Sequence, residues 1–320
     1  MKVSHVGSFP KAVTVEKAFK DMVSIGVDVP PYPQIRGFID IYLEPLVDIN
    51  LLKRKGELYF ADPKLLLESK PPTLEIPEAI QVSRLSAEMK VSNLRGPVTG
   101  PLTLASRVYR EGERGGLEST ILASKDVVVE FMVEYVRNAI KHLVDIGYNY
   151  IFVDEPILGN IVGAKRILYG YTEDDLVELY EKVYKGFPNI VKGIHVCGRI
   201  PPRLLNILVR IKPLNLLNHE FKDTPENLNS ISREALENHD KILSPGIVSS
   251  KSLRVESLDE TINLLQRLVE NYGLERLDLV SADCGFGGLG VTTEAYEVAI
   301  KKLIVVRRAV DSVARCKGSG

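Results

Sequence analysis

The stretch V-V-V-E-F-M-V-E-Y-V-R-N-A-I-K-H-L-V-D-I-G-Y-N-Y-I-F-V-D-E-P, residues 127–156, decides the fold class. Its first part, Val127 to Ile146, repeats apolar residues at the three- and four-residue spacing of an amphipathic helix. Gly147 follows as a natural C-cap, because glycine accepts the left-handed backbone that ends a helix. Tyr150 to Val153 is then a short apolar run of the kind buried in a parallel sheet. Helix, glycine and strand, closed by paired carboxylates and a proline, make one unit of an alternating α/β chain.

The same alternation extends in both directions. Further strands are expected at Val3 to Val6, Val91 to Arg95, Gly193 to Val196, Leu214 to Asn218, Ile242 to Ile247 and Leu277 to Ser281. The second strand falls either at Phe38 to Tyr42 or at Leu58 to Phe60. Helices are expected at Thr172 to Tyr184, Pro201 to Ile211, Ser257 to Tyr272 and Thr293 to Ala314. Thr172 and Asp175 have capping-box spacing, and the two prolines at 201 and 202 suit a first helical turn. Eight strand–helix units point to a single (β/α)8 TIM barrel over residues 1–316, with 317–320 as a disordered tail. A doubly wound open sheet is the alternative, but no G-x-G-x-x-G follows the first strand.

The 320 residues carry a net charge of −1, so no general electrostatic pull toward nucleic acid or an anionic membrane is expected. No apolar run approaches a membrane span, and the first ten residues are too polar for a secretory signal. Three cysteines, an odd and sparse number, argue against a disulfide framework and for the cytoplasm. Cys316, in the basic tail, reads as incidental.

Four scattered side chains have the chemistry of metal ligands: His195, Cys197, Glu220 and Cys284. In an extended strand residues i and i+2 share a face, so His195 and Cys197 can grip one ion together. Glu220 and Cys284 follow later apolar runs. Each of the four lies near the C-terminal end of a strand, where barrel enzymes keep their chemistry. One nitrogen, two sulfurs and one oxygen suit tetrahedral Zn2+. His219 competes with Glu220, since neighbouring strand residues face opposite sides and only one points inward. The glycines after Cys197 and Cys284 suit tight turns and close backbone approach.

Other strand ends add polar groups. Asp154 and Glu155 end the fourth strand, and an inward carboxylate there suits a substrate ammonium. Gly7 and Ser8, in V-G-S-F-P, offer backbone N–H groups and a hydroxyl to a small anion such as a carboxylate. R-G-P-V-T-G-P-L-T, residues 95–103, reads as an apolar loop after the third strand, and Lys251 as a residue near the mouth after the seventh.

V-G-S-F-P, G-P-V-T, V-D-E-P, H-V-C, the later Glu220 and D-C-G, in this order, resemble the C-terminal catalytic barrel of cobalamin-independent methionine synthase. The resemblance runs over nearly the whole chain, from about residue 4 to about residue 310. It implies a zinc-dependent methyltransferase that moves a methyl group to the thiol of homocysteine. It implies His195, Cys197, Glu220 and Cys284 as the zinc ligands, and Ser8 and Asp154 as holders of the amino-acid end of homocysteine. The two-barrel, folate-dependent enzyme has an N-terminal half without a counterpart here. Lys251 stands where that family carries the histidine thought to protonate the departing folate, and the run G-F-G-G-L-G after Cys284 also departs from its pattern. The chain is therefore similar to the short, archaeal-type core form. That form implies a methylcorrinoid donor, or methyltetrahydrofolate presented with a partner protein. A methyltransferase for a different thiol, and a metal-binding subunit active only with an N-terminal partner chain, are the rival expectations.

Overall fold

The computed structural model describes residues 1–317, with side chains to residue 315. The stretch at 127–156 folds as its periodicity demands. A helix with one wider turn at Val128–Met132 continues through Val133–Asp145, and Gly147 ends it at φ 101°. Val133, Val136, Ile140 and Leu143 are buried on one face. The chain then enters a strand at Tyr150–Asp154 whose five residues are all buried.

Eight parallel strands close into a barrel. β1 is residues 3–4, β2 residues 29–31, β3 Arg95–Thr99, β4 Tyr150–Asp154, β5 Val191–Val196, β6 Leu216–Glu220, β7 Ile242–Gly246 and β8 residues 277–281. β3 to β7 form a continuous ladder. Single parallel bridges complete the circuit: Leu243 and Gly246 to Leu277 and Ser281, Val3 to Val280, Ser4 to Val29 and Pro31 to Arg95. The fold is a (β/α)8 barrel, as the alternation implies. Alternate residues point inward. Phe152 fills the middle of the barrel, and a Cβ on Gly193 would lie 2.3 Å from its ring.

Two strand expectations need correction. The second strand is residues 29–31, within V-P-P-Y-P. Phe38 to Tyr42 instead leads into the helix Asp40–Asp48, and Leu58 to Phe60 belongs to a separate three-stranded sheet with Lys53–Lys55 and Val108–Arg110. Prolines lack the N–H that a ladder needs. β2 is therefore held by isolated bridges, and its composition reads as a turn. The third strand begins where it was expected to end: Val91 to Leu94 lie outside it, and R-G-P-V-T is the strand itself. Gly96 is needed there, because a Cβ would come within 2.9 Å of Ile151 and Leu143.

The helical expectations hold within three residues. Glu173–Tyr184 is opened by a capping box in which Asp175 stands in for glutamate. The last helix runs from Thr293 to Lys317, one residue into the expected tail. The side chain of Cys316 and residues 318–320 lie outside the described residues. No helix among the described residues is long and apolar enough to cross a membrane.

Candidate metal centre and active site

The C-terminal ends of β5 and β8 bring three soft and borderline donors together. His195 Nε2 lies 3.0 Å from Cys197 Sγ, and Cys197 Sγ lies 3.2 Å from Cys284 Sγ. The three ligand atoms fall within 4.8 Å of one another, so they could hold one metal ion. Local backbone explains the convergence. Val191–Val196 carries His195 inward, and Cys197 follows on the same face before Gly198 turns the chain at φ 76°. Gly285, after Cys284, packs so closely on the first strand's loop that a Cβ would lie 2.0 Å from Ser8 Oγ.

The two thiols share a proton. The hydrogen bond from Cys197 holds the Cys284 thiol well below its ordinary pKa, with His195 assisting, and the same bond pushes Cys197 up. The pair therefore favours ionisation at Cys284 over Cys197, and a bound cation would drive off the second proton.

Glu220 ends β6 and is 1% exposed. It stands close enough to Cys197 to raise that thiol electrostatically. Its carboxylate is outside the three-atom cluster and is held by its neighbours: Oε2 accepts from Thr224 Oγ1 at 2.8 Å and from Lys251 Nζ at 3.1 Å. Alternation along β6 puts Asn218 and Glu220 on the inner face and His219 on the other. His219 is buried, its Nδ1 meets Val196 O at 3.2 Å, and it has no part in the cluster.

Asp154 and Glu155 diverge, as successive strand residues must. Asp154 pairs in register with His195 and is 9% exposed. Its Oδ1 is buried without a hydrogen-bond partner, and burial pushes its carboxyl up to about 7, with His195 and Arg95 pulling back. Glu155 corrects an expectation. It is fully buried and accepts from Leu102 N, Thr103 N, Thr103 Oγ1 and Tyr180 Oη at 2.6–3.0 Å. These bonds pin the short helix Pro101–Ala105, and nothing is left over for a substrate. Gly100 lies against this carboxylate: a Cβ there would sit 2.2 Å from it.

Ser8 and Gly7 reach the same mouth. Ser8 O accepts from Phe286 N at 2.7 Å, and Ser8 Oγ accepts from Gly287 N at 3.2 Å while keeping its own proton to donate. Gly7, at φ 150°, is walled in by Pro97 and Gln34, whose atoms would come within 2.8 and 3.1 Å of a Cβ. Lys251 hangs over the rim, with its side chain 63% exposed.

Three supporting residues escaped the sequence reading. Asp283 accepts from the backbone N–H groups of Phe221, Lys222 and Asp223 at 2.5–3.1 Å. Burial pushes its carboxyl up to about 8 and the three N–H donors oppose that push. It thereby ties the loop after Glu220 to the strand end that carries Cys284. Arg95 and Asn218 lie beneath the cluster, both fully buried and joined at 3.0 Å. Their only sequence signal is a charge and an amide at inward positions of otherwise apolar strands. Burial pulls the Arg95 guanidinium down to about 10, which leaves it charged at neutral pH. A cleft of about 760 Å³ at the opposite, N-terminal mouth and one of about 560 Å³ among outer helices gather no such set of groups.

Comparison with known proteins agrees with this geometry. Residues 70–311 match the family described as cobalamin-independent synthase, catalytic domain. A methionine synthase of Methanocaldococcus jannaschii is 25% identical over 304 residues, covering 90% of this chain and 85% of that protein. A methionine synthase of Methanothermobacter thermautotrophicus is 28% identical over 282 residues, covering 85% and 81%. Among solved structures, a B12-independent methionine synthase from Shewanella sp. W3-18-1, in complex with selenomethionine, superposes with a TM-score of 0.72 at 14% identity over 99% of both chains, a likeness of fold. The match covers most of the chain: it belongs to the cobalamin-independent synthase catalytic-domain family, and it is an enzyme of the methyltransferase kind.

Proposed function

We propose that residues 1–316 act as a single zinc-dependent methyltransferase barrel that moves a methyl group to the thiol of homocysteine to give methionine. Family membership supports methyl transfer to this thiol. The observation that carries the metal is the meeting of His195, Cys197 and Cys284 within 4.8 Å at the barrel mouth. Two sulfurs and one imidazole nitrogen suit Zn2+, and Glu220, beside Cys197, is the fourth donor once it changes partner from Lys251. A bound zinc would lower the pKa of a substrate thiol and so supply the thiolate nucleophile at neutral pH. Two cysteinates and a carboxylate keep such an ion a mild Lewis acid, which suits alkyl transfer better than activation of water.

The chain's own groups position the substrate. Asp154, with its buried unpartnered oxygen, receives the ammonium. The Gly7–Ser8 turn, with a free hydroxyl proton, receives the carboxylate. Holding the thiol in line with the methyl donor supplies much of the rate, up to about 7–11 kcal/mol when alignment is good. Lys251 at the rim serves the donor side, and a methylcorrinoid donor needs no proton from it, whereas methyltetrahydrofolate does. Either donor is one that a partner protein could present.

The test is direct. Purified protein is analysed for metal, then zinc-loaded protein and homocysteine are incubated with methylcobalamin or with methyltetrahydrofolate, and methionine is measured. One zinc per chain and methionine from either donor is the expected result. A metal-free protein that makes methionine would overturn the role of zinc. Transfer to another thiol but never to homocysteine would overturn the substrate. Transfer that appears only on adding a partner chain would make this barrel one half of the active enzyme.

A further inference from the structure

A hydrogen-bond chain lies one layer beneath the metal cluster, and donor–acceptor rules leave its links to Asn218 a single arrangement. Arginine has donors only. Arg95 NH2 reaches Asn218 Oδ1 at 3.0 Å, so the oxygen of that amide must face Arg95. The other end of the amide agrees. Asn218 Nδ2 donates to Ser244 O at 2.7 Å, which can only accept, and to Ser281 Oγ at 3.3 Å, whose own proton goes to Ala282 O. Both ends thus fix the same orientation of the amide.

His195 Nδ1 lies 3.0 Å from that same Asn218 Oδ1. An amide oxygen cannot donate, so Nδ1 must carry a hydrogen. The lone pair of the neutral ring then sits on Nε2, which faces Cys197 Sγ at 3.0 Å. The participants come from five strands, β3, β5, β6, β7 and β8, and none is more than 1% exposed. Arg95 is further held by stacking on Phe152 at 3.8 Å.

We propose that Asn218, oriented by Arg95, is the positioning residue that sets the tautomer and ring angle of His195, so that Nε2 is the ligand atom. This rests on the metal-site reading above. An amide does here what a carboxylate does behind many metal-bound histidines, where loss of the outer partner weakens metal binding about 10–100-fold. The choice of amide has a reason. It adds no negative charge beneath two cysteinates and a glutamate, and Arg95 contributes a positive charge from below.

The experiment uses ¹⁵N-histidine labelling of the full chain, with the five histidines sorted by the signal lost in His195→Gln. Spectra are taken zinc-loaded, and metal-free at alkaline pH where the imidazole is neutral. In wild type, Nδ1 of His195 is expected to be protonated in both states. Asn218→Asp should keep that tautomer and keep zinc affinity within a few-fold. The double variant Arg95→Met, Asn218→Leu replaces both partners with apolar groups of similar size, so the fold should survive. It should show a mixture of tautomers and bind zinc about 10–100-fold more weakly in a chelator competition. A proton on Nε2 in metal-free wild type, or a double variant with tautomer and zinc affinity both unchanged, would overturn the proposal. A wild type that binds no zinc would instead sink the metal-site reading, and the alkaline metal-free spectrum still decides the tautomer. Should the double variant fail to fold, the wild-type spectrum decides alone.

Discussion

At the β5 and β8 edge of the mouth, His195, Cys197 and Cys284 form a compact cluster over a buried layer of hydrogen bonds. At the β6 and β7 edge, Glu220 and Lys251 form an ion pair whose lysine side chain is 63% exposed. The first edge is held by groups with no alternative partner. The second is held by a charge that solvent can replace. On the proposed metal site, three donors are fixed and Glu220 is exchangeable, so the proposed entry for a substrate sulfur lies at the Glu220 edge.

The largest expected effect breaks the fixed edge. Cys284→Ser removes a sulfur donor and the sulfur partner of Cys197. Zinc content should fall to near zero, and methyl transfer by at least about a hundredfold, with the far-ultraviolet dichroism unchanged. A metal-free variant that keeps wild-type activity would end the distinction between the two edges.

The next sharpens it at β4, where neighbouring carboxylates have opposite fates. Asp154→Asn should raise KM for homocysteine about 10–100-fold, the worth of one charge-assisted contact. Glu155→Ala should leave that KM nearly unchanged and lower stability by about 3 kcal/mol, because four buried donors lose their acceptor. Urea unfolding and steady-state kinetics on both variants separate the roles, and equal effects on KM would merge them.

The smallest effect lies on the exchangeable edge. Lys251→Met frees Glu220 from its ion pair, a contact worth about 0.5–1 kcal/mol after solvent screening. Zinc should bind about two- to fivefold tighter, and the gain should shrink at high salt. Weaker zinc binding in this variant would show that the lysine supports the ligand rather than competing for it.

The barrel was legible where each strand is regular. Runs such as I-F-V-D and G-I-H-V are apolar, free of proline and followed by periodic helices. β2 and β3 were obscured by proline and glycine, because V-P-P-Y-P and R-G-P-V-T have the composition of turns and become strands only when the closing barrel brings their neighbours alongside. The metal cluster was legible for a similar local reason: two ligands two residues apart must share a strand face. Asp283 was passed over because its partners, residues 221–223, are some 60 residues away in the chain.

Sequence alone determined the alternation of helix and strand, the face shared by His195 and Cys197, and the kinds of donor atom available, because periodicity and residue chemistry are local. Only the tertiary structure decided that Glu155 anchors a helix while Asp154 faces the site, that Lys251 holds Glu220, and that Arg95 and Asn218 stand beneath His195. These relations span up to 123 residues of chain. They depend on strand register around a closed barrel, and each strand's register is set by what its neighbours bury.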